Sequence, residues 1–278
     1  MSSTGMSDVR LHARSFDLRF YEMDRRGEAT PLTMLSLFEE TAFTHCELAG
    51  WDVYRLVGAG YGWVLLRGCM EMHRYPAYRE AFRVETWLSE TRRFYGTREY
   101  RVVSERGEEL GYARSLWAFF SLERKRPVPI LEDFLRAWSP DGRAAGPLGL
   151  DEVEGPSEAP ASSAFEVRAS EIDTNGHVNN INYLAWALDS VARQTREGLM
   201  LASVRGQYKR EVTFGSSVRL AARPEGQGYR HGVFAKAAEG ETEYLAAAGR
   251  TDWRPHRSGS VPIWSPGLSV STRKDPAA

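Results

Sequence analysis

The chain has 278 residues, 42% of them hydrophobic and 26% charged, which is enough apolar material for one large core or two ordinary ones and too much for a disordered protein. Its 36 Lys and Arg against 37 Asp and Glu leave a formal net charge of −1, so a partner held by bulk phosphate neutralisation is excluded and no nucleic acid is expected. Two cysteines, Cys46 and Cys69, fit neither a disulfide framework nor a zinc site. No apolar run reaches the roughly 20 residues of a membrane span, so a soluble cytoplasmic protein is expected.

The N-terminus, Met1-Ser2-Ser3-Thr4-Gly5, lacks the basic-then-apolar layout of a signal peptide. The first periodic segment is 16–20, whose alternation predicts a half-buried strand. Asp24 and Gly27 then form a turn signal. Apolar residues at helical spacing follow, Leu32, Leu35, Phe38 and Ala42, with Pro31 placed where a first helical turn tolerates a missing N–H. Runs rich in aromatic and β-branched residues at 62–66, 81–88, 97–103 and 113–120 predict an antiparallel meander, with 104–109 as a polar hairpin connector.

Residues 139–163 are rich in Pro, Gly, Ala and Asp without periodicity and predict a linker. After it the order repeats. A short strand at 165–168 precedes an Asp-to-Gly turn, and Ile181, Leu184, Leu188 and Val191 mark a helix that Asn179 or Asn180 can cap. Strands are predicted at 203–208, 217–222, 231–237 and 244–250, with 239–243 as a connector. The end, 256–278, is polar and Pro-dotted and predicts a poorly packed tail.

The repetition is visible residue by residue. The segment from Phe16 aligns without a gap on the segment from Phe165, an offset of 149, with Phe16/Phe165, Arg19/Arg168, Glu22/Glu171, Asp24/Asp173, Gly27/Gly176 and Leu35/Leu184 identical. One unbroken register across strand, turn and helix predicts a duplicated unit. The fold class expected is α+β, each half a long helix wrapped by an antiparallel sheet whose apolar face covers it. The units are placed at 10–138 and 164–255.

The string Asp173-Thr174-Asn175-Gly176-His177-Val178-Asn179-Asn180-Ile181-Asn182-Tyr183-Leu184-Ala185-Trp186 resembles the D-x-N-x-H-V-N-N-x-x-Y-L/I-x-W signature of the acyl-acyl-carrier-protein thioesterases, within the hotdog-fold superfamily. Other segments are similar to that family in order: Leu37-Phe38-Glu39-Glu40-Thr41-Ala42 with His45 and Gly50, Gly62-Trp63-Val64-Leu65, Val84-Glu85-Thr86-Trp87, Arg114-Ser115-Leu116-Trp117 and Tyr208-Lys209-Arg210-Glu211. The resemblance spans about Phe16 to Trp253. It implies a tandem, or double, hotdog whose two sheets join edge to edge, a substrate presented on acyl carrier protein, no metal and no organic cofactor. Plastid members carry a transit peptide, so a bacterial-type cytoplasmic member is the expectation, and a homodimer is left open.

Thioester hydrolysis needs an activated water and donors aimed at the developing oxyanion. The resemblance implies Asp173, Asn175, His177 and Glu211 as the catalytic set. Asp173, Asn175 and His177 alternate along a loop ahead of a helix, where free backbone N–H groups near Val178 and Asn179 are expected as oxyanion donors. Tyr183 and Trp63 are expected as core aromatics that also wall a pocket. The first copy serves as an internal control: Arg26 stands at the position of Asn175 and Glu28 at that of His177. A second gapless pairing, offset 136, sets Tyr75 against Glu211. One hydrolytic site per chain is therefore expected, in the second half, with the first half holding the acyl chain.

Two mechanisms fit these residue types: Glu211 and His177 activating water, or direct carboxylate attack through an acyl anhydride. Val212 occupies the position of a cysteine nucleophile once proposed for the family, which rules that route out here. Plainer roles stand beside the sharp ones. Asp173 is also a turn former, Asn179 a helix cap and Glu211 a surface charge, while His45 and Glu40 read as a packed helix face. Arg92-Arg93, Arg124-Lys125-Arg126 and Lys209-Arg210 are basic clusters suited to an acidic carrier protein. Hydrolysis of acyl-coenzyme A and non-catalytic acyl binding are the alternative functions, and a hotdog dehydratase would need a differently placed His and acid.

Overall fold

The computed structural model describes residues 9–156, 161–237 and 242–256. The expected tail from 257 onward, and most of the 239–243 connector, lie outside the described residues. In chain order the elements are β1 (Leu11–Phe16), α1 (Pro31–Leu48), α2 (Val53–Gly58), β2 (Tyr61–Met72), β3 (Phe82–Arg92), β4 (Tyr95–Ser104), β5 (Glu109–Ser121), β6 (Arg126–Pro127) and α3 (Glu132–Trp138). The second half has β7 (Ala161–Glu166), α4 (Asn180–Asp189), β8 (Leu199–Tyr208), β9 (Ser217–Glu225), β10 (Gly228–Lys236) and β11 (Tyr244–Pro255).

All named strands join one antiparallel sheet in the order β1-β3-β4-β5-β2-β8-β11-β10-β9-β7, with the short β6 on β5. The two half-sheets meet at β2 and β8, which pair from Arg67↔Gln207 to Glu71↔Ser203 without a register shift. Each half wraps its own helix. Phe38 and Met34 of α1 pack on Val84, Tyr100 and Val102, while Tyr183 and Trp186 of α4 pack on Val218, Leu220 and Val233. This is the tandem hotdog arrangement expected.

The helices start where the caps permit. Thr30 accepts the Thr33 N–H ahead of Pro31, and Asn179 accepts the Ile181 N–H ahead of Asn180. The lead strands, however, lie several residues earlier than predicted, at Leu11–Phe16 and Ala161–Glu166, and short 3-10 turns, Phe20–Glu22 and Ala169–Glu171, follow them. The same displacement in both halves reflects a shared cause: Glu22 and Glu171 reach back to the Arg19 and Arg168 N–H groups and curl the chain.

The stretch expected to be a bare linker is packed. Between Ser139 and Pro156 it lies on the sheet face away from the helices: Trp87 Nε1 donates to the Arg143 carbonyl (2.7 Å), the Leu148 N–H to the Tyr112 hydroxyl (3.3 Å) and the Val153 N–H to Gln207 Oε1 (3.0 Å). Partners from both halves tie this strap across the β2–β8 junction. The second half's first strand begins at Ala161, three residues before the expected boundary.

Candidate active site

The loop 172–178 is a turn built by its own side chains. The Asp173 N–H donates to the His177 carbonyl (2.8 Å) and the Gly176 N–H to the Asp173 carbonyl (3.1 Å). Asp173 Oδ1 accepts the Asn175 N–H (2.8 Å) while Oδ2 accepts Asn175 Nδ2 (3.3 Å), so the carboxylate both closes the turn and orients the amide. Gly176 sits at φ +80°, a left-handed conformation that only glycine adopts without strain. Nothing lies within 4 Å of where its Cβ would be, so Gly176→Ala is expected to cost about 1 kcal/mol through the backbone alone. Chemical denaturation checks this.

Tertiary pairing brings in the fourth residue. The Val178 N–H donates to the Val212 carbonyl (2.8 Å) and His177 bridges Thr213, which clamps the segment after β8 onto the loop. His177 Nε2 then stands 3.4 Å from Glu211 Oε2, with side chains 40% and 65% exposed. An exposed pair of this kind stabilises little. It leaves an imidazole and a carboxylate side by side and open to solvent. The Glu211 carbonyl is fixed by the Tyr244 hydroxyl (3.0 Å).

The first half repeats the scaffold of this turn with other side chains on it. The Asp24 N–H donates to the Glu28 carbonyl (2.8 Å), Asp24 Oδ1 accepts the Arg26 N–H (2.8 Å) and the Ala29 N–H donates to the Pro76 carbonyl (2.9 Å). Offsets 149 and 136 thus hold in three dimensions. Tyr75 takes the place of Glu211, with its hydroxyl buried on the Leu201 carbonyl (3.0 Å), and His256 stands 3.6 Å from Glu28. Because Asp24 makes the same turn with Arg26 and Glu28 in the places of Asn175 and His177, turn formation alone accounts for an Asp at this position.

Two expectations are corrected by the backbone. The Val178 amide is spent on Val212, and the Asn179 amide donates to the Glu171 carbonyl (2.9 Å), so neither is free for an oxyanion. Both are consumed because the loop is stitched into its surroundings on either side. The Val178 side chain is likewise core, buried with Tyr183, Trp186 and Val212. Asn175 Nδ2 donates one N–H to Asp173, and an amide nitrogen carries two.

A cavity lies between the helices and the sheet, lined from both halves: Leu35, Phe38 and Tyr100 of the first, Asn180, Tyr183 and Tyr208 of the second. The first half therefore does not hold it alone. Tyr183 lines this cavity, edge-on to Tyr208 at 5.4 Å. Trp63 does not line this cavity. Its indole packs against Phe119 (4.9 Å), Phe134 (5.7 Å) and Trp138 (6.1 Å), because α3, absent from the sequence reading, folds under that end of the sheet. His45 is buried, its Nε2–H donating to the Val9 carbonyl (2.6 Å) while Nδ1 accepts from Arg98 (2.8 Å), which supports its structural role.

One residue was missed. Glu39 of α1 lines the cavity beside the Asn179 amide, and its carboxyl is raised above the usual range by burial and then by the Asp173 charge. A carboxyl four residues after Leu35 and three before Ala42, inside the helix's apolar stripe, is the signal that was available. It brings the first half's helix to the edge of the second half's loop.

Residues 10–138 match the family described as Acyl-ACP thioesterase N-terminal domain, and residues 154–255 match Acyl-ACP thioesterase C-terminal domain. A chloroplastic acyl-[acyl-carrier-protein] hydrolase of Cuphea viscosissima is 27% identical over 273 residues, covering 91% of this chain and 65% of that protein. A chloroplastic palmitoyl-acyl carrier protein thioesterase of Gossypium hirsutum is 26% identical over 281 residues, covering 92% and 66%. The chain thus spans a little under two thirds of the length of these relatives. In fold it is similar to an acyl-ACP thioesterase of Bacteroides thetaiotaomicron (TM-score 0.77, 22% identity, 88% of this chain and 98% of that one). The 12:0-ACP thioesterase of Umbellularia californica is also similar (TM-score 0.75, 22% identity, 92% and 100%).

Proposed function

This chain belongs to the acyl-ACP thioesterase family, and from that premise we propose that it hydrolyses fatty acyl thioesters carried on acyl carrier protein, releasing free fatty acid and the carrier's thiol. The observation that carries the reading is the His177–Glu211 pair, 3.4 Å apart and assembled from two separate segments, on the loop that leads into α4, whose Asn180 and Tyr183 line the cavity.

In this reading a water held between Glu211 and His177 loses a proton to the pair as its oxygen attacks the thioester carbonyl. The second N–H of Asn175 meets the oxyanion, and Asp173 keeps that amide aimed. The C–S bond breaks as the tetrahedral centre collapses, and the departing thiolate takes up the proton that the pair removed from water. The acyl chain occupies the shared cavity. Lys209 and Arg210, immediately ahead of Glu211, give an acidic carrier protein a cationic approach to the same edge; the Arg210 guanidinium lies over Tyr244, 3.9 Å from its ring centre.

Among the described residues no helix is long and apolar enough to cross a membrane. A cytoplasmic setting belongs to this reading and is supported by two cysteines outside any disulfide, the half-buried Cys46 and the buried Cys69, whose thiols desolvation pushes up. The test is thiol release from matched acyl-ACP and acyl-coenzyme A substrates. Faster release from the carrier-protein substrate is expected; equal or faster release from coenzyme A would move the substrate class, and no release from either would leave an acyl-binding protein.

A further inference from the structure

One row of residues crosses the sheet on the face toward the helices. Register pairs Arg98 with Ser115, Ser115 with Gly68, Gly68 with Gly206, Gly206 with Gly249 and Gly249 with His231. Directly paired residues share a face, and Arg98 and His231 fix which face it is. Arg98 bonds His45 of α1, and His231 bonds Ser190 at the end of α4. At the middle, where the two half-sheets join, stand two glycines side by side.

Glycine inside a strand weakens it, so its presence asks for a cause. Two of the usual causes are missing. Neither Gly68 nor Gly206 has a left-handed backbone. Neither is crowded: a Cβ on Gly68 would meet nothing nearer than the Arg114 carbonyl oxygen at 3.8 Å, and one on Gly206 nothing nearer than the Tyr208 ring at 3.9 Å. By contrast, a Cβ on Gly228 or Gly111 would collide with backbone at 1.8 Å and 2.5 Å. Both junction glycines line the cavity, beneath Leu35 and Phe38 of α1 and Tyr183 and Leu184 of α4. What glycine provides at these two positions is open floor.

The ends of the row are closed by polar groups. Ser115 accepts from Trp117 Nε1 (2.7 Å), and His231 is locked between Ser190 Oγ (3.0 Å) and Thr251 Oγ1 (2.8 Å). From Ser115 to His231 is four strand spacings, roughly 19 Å. That is room for an extended acyl chain running across the strands.

We propose that Gly68 and Gly206 are specificity-determining residues: the acyl chain crosses the joint between the half-sheets directly over this glycine pair, and the missing side chains set how long a chain is accepted. The inference rests on reading the cavity as the acyl site. It is tested with Gly68→Val and Gly206→Val in the full chain, assayed on butanoyl-ACP and hexadecanoyl-ACP, with hexadecanoate binding followed by titration calorimetry. Gly68→Ala and Gly206→Ala are the milder pair should either valine variant fail to fold.

Hexadecanoyl-ACP hydrolysis should fall at least about tenfold, the scale of a methylene-sized change in an apolar pocket. Butanoyl-ACP hydrolysis should stay within twofold, hexadecanoate affinity should drop in step, and the melting temperature should hold or rise because a β-branched residue suits a strand. Unchanged long-chain hydrolysis and unchanged hexadecanoate affinity in a folded variant overturn the proposal, as does equal loss on both substrates. If the unmodified protein binds hexadecanoate but hydrolyses nothing, and the valine variants lose that binding, the glycine floor stands and the hydrolytic reading falls. Failure of the unmodified protein to bind or hydrolyse removes both.

Discussion

His177→Ala and Glu211→Gln are each expected to lower kcat on acyl-ACP by about 10²- to 10⁴-fold, the range of a lost general base, with little change in KM. The two side chains face each other across 3.4 Å and come from segments clamped together by the Val178–Val212 bond, so they should act as one unit. The double variant is then expected to be no slower than the worse single one, as for residues that share one step. A multiplicative loss would mean separate roles. Steady-state rates on one acyl length are the measurement. Asp173→Asn should be milder than Asp173→Ala, because the asparagine oxygen can still accept the Asn175 N–H that closes the turn. Glu28→Ala, at the matching position of the first half, should leave the rate unchanged.

Acidification is expected to weaken the fold well before its carboxylates titrate. His45 is fully buried, and burial together with the Arg98 charge holds its imidazole at about 3; burial holds that of His231 at about 4. Both are neutral in the native state at pH 5, whereas in the unfolded chain a histidine of ordinary pKa near 6.5 is mostly protonated there. The unfolded state therefore binds more protons, and stability falls as pH drops through about 6.5. The loss continues until each native imidazole is itself protonated, near 4 for His231 and near 3 for His45.

The size follows from the linkage. Between about pH 7.5 and about pH 5 each histidine should remove about 2 kcal/mol. Raised carboxyls such as Glu39 and Glu28 act in the opposite direction, but mainly closer to their own range. Urea unfolding at the two pH values measures the difference. His231→Gln keeps an amide for Ser190 and Thr251 and removes the proton site, so it should flatten the dependence by that imidazole's share of about 2 kcal/mol; an unaltered slope would locate the acid sensitivity elsewhere.

Much of this architecture is written in local pattern. Apolar spacing after Pro31 and after Asn179 places both helices, and their capping residues mark where they begin. The Asp-to-Gly turn needs only an Asx side chain and one left-handed glycine, so it is legible twice at an offset of 149. The imbalance between the copies is legible for the same reason: Arg26, Glu28 and Tyr75 stand where Asn175, His177 and Glu211 stand. Each is a property of a few neighbouring residues.

The rest depended on partners far away in the chain. Local spacing does not say that the Val178 and Asn179 amides are spent on Val212 and Glu171, or that α3 encloses Trp63. Nor does it say that Glu39 leaves its own half to face Asn179, or that Gly68 meets Gly206 at the seam. Periodicity assigns a residue to a face of its element, which the sequence alone determined here. Which face then meets which is decided when the sheets join and the helices settle over them, since a strand's register is set by the whole buried surface rather than by any one stretch of it.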